Sequence, residues 1–400
     1  MMQTPAVELP VLPAVDSTEG SSRADVRRAL RLVESATSDV ETRKLVVQTF
    51  ETLASVAEKG HDRWVVTYSG GKDSTTVAIL ASTFLLANPE YDVGLEVIYS
   101  DTLMEMPPLR ETADAMMEHM RSAFSRSGLR ARVRVVVPPV EDRFWVRLLG
   151  RGYPPPGPRF RWCTHRLKID PANALLDSDG QFDNAILTGV RFGESVSRDQ
   201  NLRLSCATGG ECGQDYWYFK GPTGSNRSYY APIVKWRTCK VWDFLVFVAP
   251  VLGWPTDKLF ALYGNQDLRF GCWTCSLVRR DRTMEDIMTR PGMENLAELH
   301  AFRNEIIAQC RDPVNRLKRP NGKLGAAVRL EVRRELVRRL VSLQTRLGIA
   351  LITPEEVGAI RREWRKRNWR NGNEPVPALG QDLVPSQLRK RSKTTPVPRG

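Results

Sequence analysis

Six residues, Ser69-Gly70-Gly71-Lys72-Asp73-Ser74, stand between a run of β-formers and a helix-like stretch. Glycines let backbone N–H groups approach an anion, and a helix start carries partial positive charge, so this turn suits a phosphate. Ser69 and Ser74 add hydroxyls, and Lys72 adds a cation. The ordinary phosphate loop is excluded. Its G-x-x-x-x-G-K-[ST] pattern needs glycine at 66 and a hydroxyl after the lysine, where this chain has Val66 and Asp73. Asp73 fits two roles: a helix cap, or a ligand of Mg²⁺ bound to the phosphates. Asp101 and Glu105, in "SDTLMEMP", suit a second metal or a ribose contact at the end of the next strand.

Thiols are the second chemistry. "GCWTC" holds Cys272 and Cys275, a C-x₂-C pair open to a redox dithiol, zinc or iron–sulfur. "RWCTHRLKIDP" supplies Cys163 with His165, Arg166 and Lys168 around it. Seven cysteines without an export signal argue for reduced thiols or metal ligands rather than a disulfide framework. Four scattered histidines do not make a histidine site, and His165 reads as a local hydrogen-bonder.

Elements must hold these groups in place. "RWVVTYS", "GLEVIYSD", "ARVRVVVP" and "NAILTGVR" read as strands, with helices at roughly 73–87 and 107–127 between the first three. That alternation predicts an α/β fold with a doubly wound parallel sheet, which puts the Gly70-Gly71 turn at a carboxyl strand end, where such sheets bind ligands. Residues 25–59 carry helical periodicity behind a loose Pro/Ser-rich start, and 200–230 read as an inserted loop. After 236 the pattern is mostly helical, and 371–400, with five prolines, reads as disordered. The expected organisation is a loose segment and helix over 1–60 and a nucleotide-binding α/β domain over 61–235. A helical segment with the C-x₂-C follows over 236–310, then a basic helical region and tail over 311–400.

Charge separates along the same lines. Residues 311–400 hold 22 Lys+Arg against 8 Asp+Glu, while the preceding 310 hold 37 against 38. A near-neutral body with a basic end implies a polyanionic partner. Ten tryptophans read mostly as packing, although Trp364 and Trp369, among arginines, have the setting to stack on bases. No apolar run reaches the roughly 18 residues of a membrane helix, and the start lacks a signal peptide, so a cytoplasmic protein without a membrane partner is expected.

"SGGKDS" resembles the pyrophosphatase-type loop of the phosphoadenylylsulfate (PAPS) reductase and ATP pyrophosphatase superfamily. "SDTLMEMP", "GVRFGESVSR" (189–198) and "APIVKWRTCKVWDFL" are similar to its later motifs, in order from about 62 to 290. The resemblance implies an adenine nucleotide α-hydrolase-like fold, ATP with Mg²⁺ at Ser69–Ser74, and Asp101, Gly189 and Arg191 as further site residues. Lys72, Asp73, Asp101 and Arg191 would carry catalysis. "RFGCWTCSLVRRDRTME" with "RWCT…RLKI" is closer to the DndC-type sulfurtransferases of DNA phosphorothioation, which carry an iron–sulfur cluster. Cys163, Cys272 and Cys275 transfer as ligands of a [4Fe–4S] cluster, with zinc the lesser alternative. Trp162 stands where reductases have a further cysteine, and no cysteine shortly precedes this C-x₂-C, so Cys212 is taken as the fourth ligand ahead of Cys206. Cys239 and Cys310 are expected as buried small hydrophobes. The implied function is ATP-dependent sulfur insertion into DNA backbone phosphate, with adenylation and pyrophosphate release. The implied partners are DNA, a cysteine desulfurase as sulfur donor, and other DNA-modification subunits. PAPS or adenylyl-sulfate reduction, tRNA thiolation and non-catalytic nucleic-acid binding are the alternatives. A mobile cysteine near the C-terminus, as in thioredoxin-linked reductases, is not found after Cys310.

Overall fold

The structure, a computed structural model, describes residues 30–31, 33–158, 160–193, 211–214, 216–220, 226–264, 268–318 and 321–371; for 211–220 and 367–371 it describes the backbone alone. Cys206, "ESVSR" and the 372–400 end lie outside the described residues. The elements begin with α1 (Val40–Glu58), β1 (Arg63–Tyr68), α2 (Lys72–Ala87), β2 (Gly94–Ser100), α3 (Pro107–Ser127) and β3 (Ala131–Val136). Next come α4 (Asp170–Ser178), β4 (Asn184–Leu187), β5 (Glu211–Gln214), β6 (Tyr216–Lys220), β7 (Arg227–Ala231), α5 (Thr238–Asp243) and α6 (Asp257–Tyr263). The last described elements are α7 (Arg282–Ile287), α8 (Leu296–Arg311), β8 (Arg316–Lys318), β9 (Leu324–Val328), α9 (Leu330–Leu347) and α10 (Pro354–Asn371).

These elements form two compact units with interleaved segments. The first unit holds the chain to Ser100, Pro107–Val136 and Ala174–Leu268; the second holds Asp101–Met106, Val137–Asn173 and the chain from Arg269.

The first unit is a seven-stranded sheet in the order β3-β2-β1-β4-β7-β6-β5. Its first five strands are parallel, and β6 and β5 add on antiparallel. Strand β1, "RWVVTY", is buried on both faces except at Thr67, as expected of an interior parallel strand. One face packs Val65, Ile98, Val136 and Ile186 against Leu176 of α4. The other face stacks Trp64 on Phe84 of α2, which in turn meets Phe50 of α1. The sheet is thus flanked by helices on both faces. The chain leaves β1 for β2 and β3 on one side and returns to β4 on the other, so the order reverses between β1 and β4. In open α/β sheets that reversal is where ligands bind.

The expected loop over 200–230 is corrected in part: β5, β6 and most of β7 lie within it. "YWYFK" and "RSYYA" are aromatic β-formers, and their Gly/Ser/Asn surroundings hid them. The strand reading of 184–191 also overshoots, since β4 ends at Leu187.

The second unit packs helices around tryptophans. Trp145 donates its Nε1–H to Leu351 O at 2.7 Å and tilts against Trp273 at 5.8 Å. Trp364 is 1% exposed and donates to Leu149 O at 2.8 Å, so it is a core side chain and not a base-stacking platform. Helix α10 begins with a capping box: Thr353 N–H donates to Glu356 Oε2 at 2.9 Å, and Glu356 N–H to Thr353 Oγ1 at 3.2 Å. The C-terminal region is not helical throughout, because β8 and β9 pair as a hairpin ahead of α9. Among the described residues, no helix is long and apolar enough to cross a membrane.

Candidate functional site

The turn after β1 is built by its own residues. Gly70 has φ +74°, and a Cβ there would stand 2.6 Å from that of Ala113, so both backbone and space demand glycine. Ser74 Oγ receives Ser69 N–H at 3.1 Å, lies 3.1 Å from Ser69 Oγ and donates to Gly71 O at 3.1 Å, closing the loop on itself. Gly71 precedes α2 as its N-cap and offers no side chain to cap it. Asp73 does not serve as the cap either. Its carboxylate lies 3.1 Å from Lys72 Nζ and 2.6 Å from Arg191 Nε. The turn thus supplies no side-chain cap of its own to the helix start, while Asp73 holds two cations beside it.

Gly189 and Arg191 bring the end of β4 to this turn. A Cβ at 189 would fall 2.8 Å from Asp73 C and 2.9 Å from Ser74 N, so any side chain would force the two backbones apart. Arg191 is 3% exposed. It also donates to Trp236 O at 2.9 Å and Thr238 Oγ1 at 3.3 Å, tying the "PIVKWRT" segment to the loop through one guanidinium. The structure thus brings Ser69, Gly70, Gly71, Lys72, Asp73, Ser74, Gly189 and Arg191 together.

Sequence reasoning missed Tyr263, the last residue of α6. Its hydroxyl accepts Lys72 N–H at 3.5 Å, lies 3.3 Å from where a Cβ on Gly71 would be, and its ring lies 5.4 Å from Lys72 Nζ. Burial raises this phenol above its usual range, opposed by the Lys72 N–H and reinforced by Asp73. No local pattern marks it, since it lies some 190 residues away in sequence.

Asp101 immediately follows β2 and belongs to the second unit. It is 3% exposed and accepts Leu103 N–H at 3.0 Å, where Leu103 takes φ +64°. The same short segment meets the C-x₂-C. Glu105 bridges to Cys272 antiparallel, Trp273 N–H donates to Met104 O at 3.0 Å, and Thr102 Oγ1 lies 3.7 Å from Cys272 Sγ. Cys275 N–H donates to Cys272 O at 3.0 Å, closing the turn. Buried Arg303 of α8 clasps it from outside, reaching Cys275 O at 2.6 and 2.9 Å and Val278 O at 2.7 Å.

Cys163, in the helical turn Trp162–Thr164, joins the same unit. Its thiol is raised by burial, lowered by its hydrogen bond to Thr164 and raised again by Cys275. Burial pushes the Cys272 thiol up to about 12, opposed by the Lys168 ammonium and reinforced by Glu105. Glu105 is itself raised by burial, with Lys168 opposing, and its Oε2 is buried without a hydrogen-bond partner among the described residues. Lys168 thus acts electrostatically on both this thiol and this carboxylate. His165 is exposed and its Nδ1 lies 3.8 Å from Asp170 Oδ1, beyond hydrogen-bond distance.

Three soft thiols in one unit fit an iron–sulfur cluster or zinc in kind, and buried thiols are the state a bound cation would ionise. Among the described residues, no group of three or more ligating side chains already stands at metal spacing. Cys212 falls on β5, in the first unit, with its side chain outside the description. The two cysteines expected as buried differ: Cys310 is buried, but Cys239 is exposed on α5.

An uncharacterised protein of Methanocaldococcus jannaschii is 24% identical over 211 residues, 53% of this chain; the match spans 35% of that relative's length. Among solved structures, a PAPS reductase of Candida auris in complex with phosphate aligns over 66% of this chain and 100% of its own, at 15% identity and TM-score 0.35. An FMN adenylyltransferase of Candida glabrata with FMN and an ATP analogue aligns over 56% and 65%, at 15% identity and TM-score 0.32. The family model of the phosphoadenosine phosphosulfate reductase domain matches residues 63–277. That stretch is more than half of the chain and contains the turn, Gly189, Arg191 and the thiols of Cys163, Cys272 and Cys275. The chain belongs to the phosphoadenosine phosphosulfate reductase domain family.

Proposed function

We propose that this protein is an ATP-dependent sulfurtransferase that inserts sulfur into DNA backbone phosphate. The observation that carries the nucleotide half is the Ser69–Ser74 turn at the β1/β4 reversal, whose N-cap residue Gly71 brings no capping side chain and which has Lys72 beside it. ATP phosphates would accept from the turn's N–H groups, and Lys72 Nζ would turn from Asp73 to the phosphates as pyrophosphate leaves. Asp73, held on its other side by Arg191, would then be the carboxylate available to a bound Mg²⁺, which would shield the charge of the departing pyrophosphate. Gly189 fixes the spacing. A sulfur nucleophile would displace AMP from the activated phosphate.

The thiol half rests on Cys163, Cys272 and Cys275, which would hold a [4Fe–4S] cluster with Cys212; bound there, it would supply sulfur or electron chemistry. Thr102 and Lys168 would orient and ionise Cys272. DNA, a cysteine desulfurase and further DNA-modification subunits are the proposed partners, and a cytoplasmic setting follows from reduced thiols.

The family match equally supports reduction of PAPS or adenylyl-sulfate at the same turn. One experiment separates the two. The full chain, purified without air, is incubated with α-³²P ATP and DNA, and in parallel with PAPS and a dithiol. Pyrophosphate and AMP from the first mixture support sulfur transfer, whereas sulfite from the second and none from the first supports reduction.

A further inference from the structure

A buried guanidinium is ordinarily met by a carboxylate, as Arg63 is by Glu96 and Arg191 by Asp73. Arg303 of α8 is not. It is 1% exposed, and among the described residues it forms no ion pair with an acidic side chain. The acids of its own helix are engaged elsewhere, Glu298 by Arg346 and Glu305 by Arg339. Its N–H groups find neutral oxygens instead. Nε and Nη2 donate to Cys275 O at 2.9 and 2.6 Å, Nη2 also to Val278 O at 2.7 Å, and Nη1 to Asn304 Oδ1 at 2.7 Å. Arg311, at the exposed end of α8, donates to Ser276 O at 3.1 Å. Two cations therefore grip the backbone where it leaves the C-x₂-C turn.

Carbonyl dipoles hold a guanidinium in place but carry no net charge, and a buried cation without a counter-charge is costly. Neutral thiols at Cys272 and Cys275 do not supply that counter-charge. Metal-bound cysteines are thiolates. Three of them on Zn²⁺, or on the doubly charged core of an oxidised cubane, leave a net negative charge. The group that would balance Arg303 is therefore the one that its carbonyl partners carry once a metal is bound.

We infer that Arg303 is a positioning residue for the proposed metal centre: it fixes the carbonyls of the C-x₂-C turn and supplies the buried positive charge that an anionic metal–thiolate group balances. This rests on the reading that Cys163, Cys272 and Cys275 hold a metal, and it assigns a residue beyond the stretch 63–277 that the family model matches. Fold stability and metal affinity separate the charge from the clasp. A clasp that only braced the fold would matter equally to the metal-free and the loaded chain, and metal affinity would not depend on it. A charge compensated only by the centre acts on affinity itself. Buried Arg333 supplies the contrast. It too rests on carbonyls, those of Leu149, Gly150 and Val328, but none of these belongs to the C-x₂-C turn.

The test uses the full chain, freed of metal and titrated with Co²⁺ without air, with the thiolate-to-cobalt absorption band as the readout. A thermal melt of each metal-free protein runs in parallel. Arg303→Gln keeps a donor for the carbonyls and removes the charge; it should weaken Co²⁺ binding about 10- to 100-fold. Arg303→Lys keeps the charge and should bind Co²⁺ more tightly than Arg303→Gln. Arg333→Gln should lower the melting temperature and leave Co²⁺ affinity unchanged. Equal affinity in Arg303→Gln and the unaltered chain overturns the assignment, as does an equal loss in Arg333→Gln. Equal loss in Arg303→Gln and Arg303→Lys overturns the charge role. If Arg303→Gln does not fold, Arg311→Gln carries the test: from its exposed position it should weaken Co²⁺ binding by a smaller factor, and unchanged binding overturns the assignment. Absence of the band in the unaltered chain would refute the metal reading and this assignment together, whereas a band insensitive to Arg303 refutes this assignment alone.

Discussion

Arg191 Nε donates to Asp73 Oδ1 across 2.6 Å, joining the end of β4 to the first turn of α2. Both side chains are largely buried, 4% and 16% exposed, so neither charge can be left alone cheaply. Replacing Arg191 by alanine should destabilise the protein by about 3 kcal/mol and abolish pyrophosphate release. Arg191→Lys should recover part of the stability but little activity, because a single ammonium cannot span Asp73, Trp236 O and Thr238 together. Thermal melts and a pyrophosphate assay on both variants check this. Unchanged activity in Arg191→Ala would show that the loop does not need its clamp.

Gly189→Ala tests the close approach of the end of β4 to the first turn of α2. A methyl would lie 2.8 Å from Asp73 C, and backbone atoms cannot step aside as a side chain can. ATP binding, followed by calorimetry, should fall at least tenfold. Gly157→Ala, where a Cβ meets nothing within 4 Å, should bind ATP normally.

Tyr263→Phe should strengthen ATP binding. The phenol oxygen accepts the Lys72 N–H, a donor that a phosphate would otherwise claim. Removing a competitor worth about 1 kcal/mol should lower the dissociation constant about fivefold. Weaker binding instead would mean that the hydroxyl donates to the nucleotide.

Cysteine replacements separate the ligand set from bystanders. Purified without air, the protein should be brown with about four irons per chain, as a cubane cluster requires. Cys163→Ala, Cys272→Ala and Cys275→Ala should each bleach it, and so should Cys212→Ala, whereas Cys206→Ala and Cys310→Ala should not. One tightly held zinc in a colourless protein would replace the cluster while keeping the ligands. Colour surviving loss of Cys163 would reject the set.

Glu356 offers a test of pH dependence. Burial raises its carboxyl above the usual range, so the folded state holds this proton more firmly than the unfolded chain does. Such a group favours folding at pH below its unfolded value, and that favour is lost as pH rises through the folded value. Glu356→Gln keeps an oxygen acceptor for Thr353 and removes the charge. Its melting temperature should fall less than that of the unaltered protein between pH 4 and pH 7, on the order of a few degrees. A parallel decline in both proteins would mean that Glu356 does not carry the effect.

How far the fold and the site could be read in advance depended on where their signals lay. β1, α2, β2 and α3 were legible within a residue or two, because each is a contiguous run bounded by glycine, proline or a charge. "SGGKDS" was legible as an anion turn, yet its aspartate's partner was not. Arg191 is 118 positions away, and only folding shows that it removes Asp73 from the capping role. Lys168 was visible beside Cys163, but its influence on Glu105 and Cys272 arises only once distant segments meet. The hairpin carried a local signal that was passed over. Asn321-Gly322 between "RLK" and "KLGAAV" is a turn pattern, masked by the helical periodicity on either side. Trp364 was misleading for the opposite reason, since its arginine-rich neighbours face outward while the indole faces in.

The interleaving of the two units sets an order of events during synthesis. Asp101–Met106 and Cys163 leave the ribosome long before Cys272, about 110 residues later, and the second unit is not complete until α10 has emerged. At about 5–20 residues per second, Cys163 waits on the order of ten seconds for its partners. The first thiol is thus made, exposed and unprotected, well before any pocket exists to receive a metal. Loading of the proposed cluster would have to follow release of most of the chain, and a fragment cut anywhere between 107 and 268 would carry part of each unit and complete neither.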